Sequence, residues 1–392
     1  MPGERDHDLV LFGATGFTGG LTADYLAANA PAGLRWALAG RNRAKLEAVA
    51  ARLAAANPEA PAPELLVADA ADSAALAKIA AATRVVITTV GPYALYGEPL
   101  VAACAAAGTD YVDLTGEPEF VDRMYLEHHA EAERTGARLV HCCGFDSVPH
   151  DLGAWFTVKQ LPEGVPLKVD GYVRSNARFS GGTYHSAVNG FARGRQTLAA
   201  AKERKKAEPR PVGRAVHSSP ARVRHDDVLG GWTAPLPTID GAIVRRSAAA
   251  VDRYGPDFTY GHHVVARHLA TLAGMTAGVG TVAVLAPIPP VRKLLLKAKS
   301  PGEGPDESTR AGSWFKIRFV GEGGGKRVVT EVSGGDPGYS ETSKILAECG
   351  LCLAFDDLPE RAGQLTTVAS MGDMLLTRLQ NAGIGFRVLE SA

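Results

Sequence analysis

Five short clusters hold most of the residues able to do chemistry. The first is GATGFTGG, Gly13 to Gly20, with glycines at 13, 16 and 19. Glycine there permits positive φ and close backbone approach, while a helix starting at such a turn aims free N–H groups at a pyrophosphate. Gly13, Ala14, Thr15, Gly16, Phe17, Thr18 and Gly19 are therefore candidate dinucleotide contacts. The second cluster, AGRNRAK, lacks the acid that would hold a free ribose 2′-hydroxyl and offers Arg41 and Asn42 instead. A guanidinium holds a 2′-phosphate by charge-assisted bonds, so the pattern favours NADP(H) over NAD(H). Asp69 either meets the adenine edge or belongs to a helix cap with Ser73.

TTVGPY ends in a turn with little side chain, so Val90, Gly91 and Pro92 are expected beside the nicotinamide half, with Tyr93 next to them. DLTGE, Asp113 to Glu117, is expected on the same rim. CCGFDSVPHDLG, Cys142 to Gly153, sets Asp146, Ser147 and His150 around a Gly/Pro break. These three, with Tyr93, Tyr184 and His185, are the candidate proton donors or oxyanion partners.

The elements that must position these clusters follow from the apolar pattern. Strands are expected at Asp8–Phe12, Arg35–Gly40, Glu64–Asp69, Arg84–Val90, Asp110–Leu114 and Ala137–Cys143, alternating with helices of 10 to 15 residues. That rhythm predicts an α/β, Rossmann-type doubly wound parallel sheet over residues 1–147, with every cluster at its carboxyl rim. From 148 the rhythm changes to an α+β region with an antiparallel sheet, through 337. Its expected parts are a strand at Leu167–Asn176, a long helix at Gly182–Lys206 and irregular chain over 207–238. Strand or mixed structure is expected at Gly241–Val251, a strand at Phe258–Ala266, and a hairpin of Ser313–Gly321 with Lys326–Gly334. Helices are expected at Glu341–Leu353 and Met371–Ala382, within a closing region 338–392. Cys142 and Cys143 should pack on opposite faces of the sixth strand, and Ser147 should cap the helix after it. The stretch would then form the hinge between the cofactor and substrate regions.

Composition narrows the rest. In 392 residues, 42 basic side chains balance 42 acidic ones, which gives no support for nucleic-acid binding. Five irregularly spaced cysteines make no disulfide framework and fit a reducing, cytoplasmic setting, and no signal peptide is expected before the first strand. The charge-free segment 269–291, cut by Pro287, Pro289 and Pro290, is expected as a buried helix or pocket wall, with peripheral membrane contact as the alternative. No tyrosine has a lysine four residues later, which removes a short-chain reductase dyad. No Gly-x-Ser-x-Gly occurs, and the adjacent cysteines do not suit a metal, so no metal site is expected. Cys349 and Cys352 are expected to pack rather than act as a redox pair.

The motifs GATGFTG, AGRN, VGPY, YVDLTGE and CGFDSVPHDLG, with the tail GGDPGYSETSKILAECGL, resemble the saccharopine dehydrogenase-like NADP-binding oxidoreductases, in the branch of trans-acting enoyl reductases. Thr367 departs from the family's Thr-Pro-Ala turn. The resemblance implies C-terminal helices that return to the dinucleotide region, NADPH as cofactor, and a homodimer. It also implies a reductase of an enoyl or carbonyl group on an acyl thioester or carrier-bound chain. The alternatives are an imine-reducing, saccharopine-type dehydrogenase using Arg174 or Arg178, and a non-catalytic nucleotide- or lipid-binding protein.

Overall fold

The computed structural model describes residues 5–177, 181–226, 229–297 and 305–391. Six parallel strands open the chain: β1 (His7–Phe12), β2 (Trp36–Gly40), β3 (Glu64–Val67), β4 (Thr83–Thr88), β5 (Asp110–Asp113) and β6 (Arg138–Val140). Eight more follow: β7 (Leu167–Ser175), β8 (Ala215–Ser218), β9 (Arg224–Asp226), β10 (Gly231–Pro235), β11 (Asp257–Ala266), β12 (Phe315–Gly323), β13 (Lys326–Gly334) and β14 (Gly363–Leu365). The last is β15 (Gly385–Ser391).

The first sheet has the order β14-β6-β5-β4-β1-β2-β3 and is parallel throughout. Both of its faces are covered, which explains why its strands read as apolar runs. Leu9 and Leu11 of β1 pack to one side, with Ile87 and the helix Ser340–Phe355. Val10 and Phe12 pack to the other, with Val86 and the helices Ser73–Ala82 and Glu98–Ala107. The C-terminal stretch is shared between sheets: β14 extends the first, and β15 pairs with β13 of the second.

The second sheet runs β15-β13-β12-β7-β11-β10-β9, with β8 also on β11. It is mixed rather than purely antiparallel, because β11 pairs in parallel with β7 and β8. Helical crossovers between these strands supply the length that parallel pairing needs. The helix Val148–Val158 lies on this sheet, and Gly153 allows the close approach: a Cβ there would stand 2.3 Å from the Phe319 ring.

Several local expectations give way. β6 stops at Val140, and Cys142 beyond it has a φ of 63°. The two cysteines do enter different cores, but from a turn rather than from a strand. The predicted long helix is two, Gly181–Ala192 and Gly194–Ala207, broken at Arg193, whose guanidinium grips Glu119. The described residues of 207–238 hold three short strands, and Asp240–Ala250 is a helix whose Ile243, Val244, Ser247 and Ala248 form one buried stripe. Asp72, not Ser73, caps the third helix, accepting from Ala74 N and Ala75 N. The expected burial of the segment 269–291 does not hold: of the helix Leu269–Leu285 only Leu272 is buried.

Candidate active site

The loop after β1 is shaped by steric necessity. Gly13 has a φ of 93°, and a Cβ on it would lie 2.7 Å from Thr89 Oγ1. A Cβ on Gly19 would fall 2.2 Å from the Gly13 carbonyl oxygen, so the helix Phe17–Asn29 could not start where it does. Thr15 and Gly16 stay exposed at its N-terminus, while Ala14 is buried. Phe17 meets the edge of Tyr339 at 4.8 Å, and the Thr18 carbonyl accepts from the hydroxyls of Thr22 and Ser343. The glycine backbone and open helix end thus fit a pyrophosphate.

At the end of β2 the Arg41 side chain is 79% exposed and stands 3.9 Å from the Asp69 carboxylate. Asp69 also accepts from Ala71 N in its own turn. Asn42 caps the next helix, accepting from Lys45 N, so its side-chain oxygen is committed locally. The cap uses only the Asn42 oxygen, so its side-chain amide N–H group, like the Arg41 guanidinium, is a donor for a 2′-phosphate, and the donor set fits NADP(H).

Val90, Gly91 and Pro92 form the turn beyond β4, with Gly91 exposed and the Gly91–Pro92 bond cis. Tyr93 does not serve the rim. Its buried ring points into the sheet and its hydroxyl donates to the Thr88 carbonyl at 3.1 Å. Burial then pushes its acidity far from the physiological range. Sequence reasoning missed the role of Glu117, which accepts from Tyr93 N, Ala94 N and Ser186 Oγ. One carboxylate thereby fixes the turn after β4 and ties the helix Gly181–Ala192 over the rim. Beside it opens a cavity of about 290 Å³ lined by Pro92, Leu95, Glu117, Asn189, Arg193 and Arg292 among others. Tyr184, half-buried on the covering helix with its ring near His185, is not among the lining residues.

Asp146 lies against the loop that follows β5: a Cβ on Gly116 would come within 3.1 Å of its Oδ2. Burial, reinforced by the neighbouring Asp240 carboxylate, pushes its carboxyl up to about 7. Ser147 is fully buried and donates to Asp240 Oδ1 at 3.2 Å, so it does not cap the helix as expected. Asp240 also accepts from the Thr238 hydroxyl, and His262 Nε2 stands 3.3 Å from its other oxygen. Burial alone would raise Asp240, but His150, His262 and Thr238 together hold it below the usual carboxylate value. His150, packed edge-on against His262 at 4.8 Å, is driven down to about 3 chiefly by burial and is neutral at physiological pH. The ligand atoms of His150, Asp240 and His262 lie within 4.8 Å of one another.

The result is a half-buried carboxyl poised near neutrality, backed by an ionised one. Asp240 and His262 escaped the sequence reading because they lie about a hundred residues from Asp146 and carry no local motif. Asp151, in the first turn of the helix Val148–Val158, accepts from Thr367 Oγ1 and Val368 N. Thr367, where a proline was expected, thus adds a hydrogen bond to the C-terminal segment.

Comparison with known proteins agrees with this geometry. Residues 9–140 match the model of the saccharopine dehydrogenase NADP binding domain. A Mycobacterium tuberculosis protein, provisionally named a trans-acting enoyl reductase, is 38% identical over 99% of each chain. The trans-acting enoyl reductase of Mycobacterium bovis is 35% identical over 98% of each, and that of Mycobacterium ulcerans 35% over 97%. Among solved structures, saccharopine dehydrogenase (L-Glu forming) from Saccharomyces cerevisiae shares the fold, with a TM-score of 0.56 and 13% identity over 97% of this chain and 99% of that one. The chain therefore belongs to the trans-acting enoyl reductase family, with a saccharopine dehydrogenase-like NADP-binding domain, and is an NADP-dependent oxidoreductase.

Proposed function

We propose that the enzyme reduces the carbon–carbon double bond of an enoyl group on an acyl thioester or carrier-bound chain, with Asp146 as proton donor. The observation that carries this reading is the Asp146 carboxyl at the rim, held near neutrality by burial and by Asp240. Gly13–Gly19 and Arg41, beside the Val90–Pro92 turn, would hold NADPH, which when bound would supply a hydride from nicotinamide C4. Asp146 would deliver the proton to the α-carbon as the β-carbon takes that hydride. Enoyl group, NADPH and one proton become a saturated acyl group and NADP⁺, and Asp146 recovers its proton from solvent.

Asp240, kept ionised by its partners, opposes ionisation of Asp146 and so preserves the donor form. Ser147 is a positioning residue: its hydroxyl fixes Asp240 rather than meeting substrate. Tyr184 we retain only as a candidate substrate contact from the covering helix.

The saccharopine-type alternative needs guanidinium groups ready for amino-acid carboxylates. Arg174 instead donates to the Gly230 carbonyl, and Arg193 is taken by Glu119, while Arg178 lies outside the described residues. Arg174 and Arg193 are thus occupied, and the likeness to trans-acting enoyl reductases favours an acyl substrate over an imine. All five cysteines are buried thiols, which fits a reducing cytoplasm. A homodimer remains part of the proposal, on family resemblance. Incubation with NADPH and enoyl thioesters should consume the reduced nicotinamide, and Asp146→Asn should stop that with NADPH affinity intact. Consumption with imines alone would overturn the reading.

A further inference from the structure

The helix Leu269–Leu285 is built unlike the other helices among the described residues. Its sequence, LATLAGMTAGVGTVAVL, has no charge, yet apart from Leu272 it is exposed or half-exposed along its length. Leu269, Met275, Val279 and Val284 are between 43% and 72% exposed. Leu272 docks the helix against Ala234 and Ala266 of the second sheet, with Trp232 alongside. The helix also runs past that of Gly181–Ala192, and the remaining surface forms an apolar rod about 25 Å long, at 1.5 Å per residue. It is apolar on every side. A protein partner covers one face of a helix and leaves the other wet, so an all-round apolar helix asks for a surrounding apolar medium.

Charge identifies the medium. Between Asp257 and Glu303 the sequence contains no acid but has Arg267, Arg292, Lys293, Lys297 and Lys299. The next helix, Pro289–Lys297, carries three of these cations beside Leu294, itself 69% exposed, and Ile288 just before it is 43% exposed. Pro289–Lys297, with apolar side chains on one side and cations on the other, matches the interfacial zone of an anionic bilayer, and the uncharged helix before it matches the apolar zone beneath. No helix among the described residues is long and apolar enough to cross a membrane, so the rod would enter one leaflet rather than span.

The placement also bears on the site. Arg292 lines the rim cavity together with Pro92, Glu117 and Arg193. The exposed side chains Leu95 (56%) and Tyr96 (51%) stand on the turn next to that cavity. A bilayer holding the rod would thus lie close to the cavity that borders the cofactor rim.

We infer that residues 269–297 form a docking arm for an anionic phospholipid surface. The inference concerns binding alone and stands apart from which group is reduced. The test is co-sedimentation of the full-length protein with vesicles of phosphatidylglycerol and phosphatidylcholine, against vesicles of phosphatidylcholine alone. The wild type should pellet with the anionic vesicles. The double variant Met275→Asp and Val279→Asp should lower that partitioning by about tenfold or more, since charges are costly in the apolar zone. Lys293→Glu with Lys297→Glu should lower it too, and more so at low salt. Both variants should keep wild-type NADPH affinity and circular dichroism, which shows that the fold survives. Failure of the wild type to pellet would overturn the inference. So would a Met275/Val279 variant that pellets like wild type, or one whose only change is a shift from dimer to monomer, which would make the rod a contact between two copies. Because the readout is partitioning, any of these results leaves the reductase reading untouched.

Discussion

The loop Gly13–Gly19 and the helix Leu269–Leu285 are both glycine-rich and apolar, yet they use those residues in opposite ways. In the loop, glycine is required by contact: a Cβ at 13 or 19 would stand 2.7 Å or 2.2 Å from fixed neighbours. In the helix, Gly274, Gly278 and Gly280 face nothing within 4 Å of an added Cβ. The first region is a site because its backbone is crowded by its own protein and open only toward a ligand. The second is open on nearly every side, and what it does depends on the medium around it. Glycine spacing in a sequence therefore carries meaning only through what surrounds it.

This contrast orders the tests. Asp146 is the crowded extreme on the chemical side, and Asp146→Asn should cut turnover by about 10²–10⁴-fold with NADPH affinity unchanged. Its carboxyl must be protonated to donate. With its value raised to about 7, wild-type turnover should fall as pH rises through that point. Asp146→Asn should lose this limb, and a limb that persisted would assign the proton to another group. Next, Gly19→Ala should weaken NADPH binding by about 100-fold, whereas Gly278→Ala on the rod should leave it unchanged. Equal effects at the two glycines in a binding titration would erase the distinction. Arg41→Ala should cost about 1.5–3 kcal/mol of NADPH binding with little effect on NADH, read from the two dissociation constants. The smallest change is expected from Asp151→Ala, which leaves Thr367 and Val368 without their buried partner. Denaturant melts should show a loss of about 1–3 kcal/mol with cofactor affinity preserved.

Legibility in the sequence followed the same division. The dinucleotide region was readable because parallel strands buried on both faces leave uninterrupted apolar runs, and glycines punctuate them at fixed offsets. The choice of NADP(H) as cofactor was legible for that reason. The second region was harder. Asp240–Ala250 alternates small and branched residues enough to resemble a strand, and only its packing makes it a helix. Strands of three to five residues in 207–238 are too short to show a period. Asp146 could be singled out by its Gly-Phe-Asp-Ser-Val-Pro turn, but its raised acidity could not. That property comes from burial and from Asp240, a neighbour brought in by tertiary folding. Tyr93 failed as a candidate because its position next to the rim turn says nothing about which way its ring points.

The central claim is that this rim delivers a hydride to the β-carbon of an enoyl acyl group. Its most direct test is mass spectrometry of the product formed from NADPH carrying deuterium at the transferred C4 position. The account predicts a saturated acyl product with deuterium at the β-carbon and a solvent-derived proton at the α-carbon. Label found on an amine-bearing carbon or on a newly formed alcohol carbon, with the double bond intact, would contradict it.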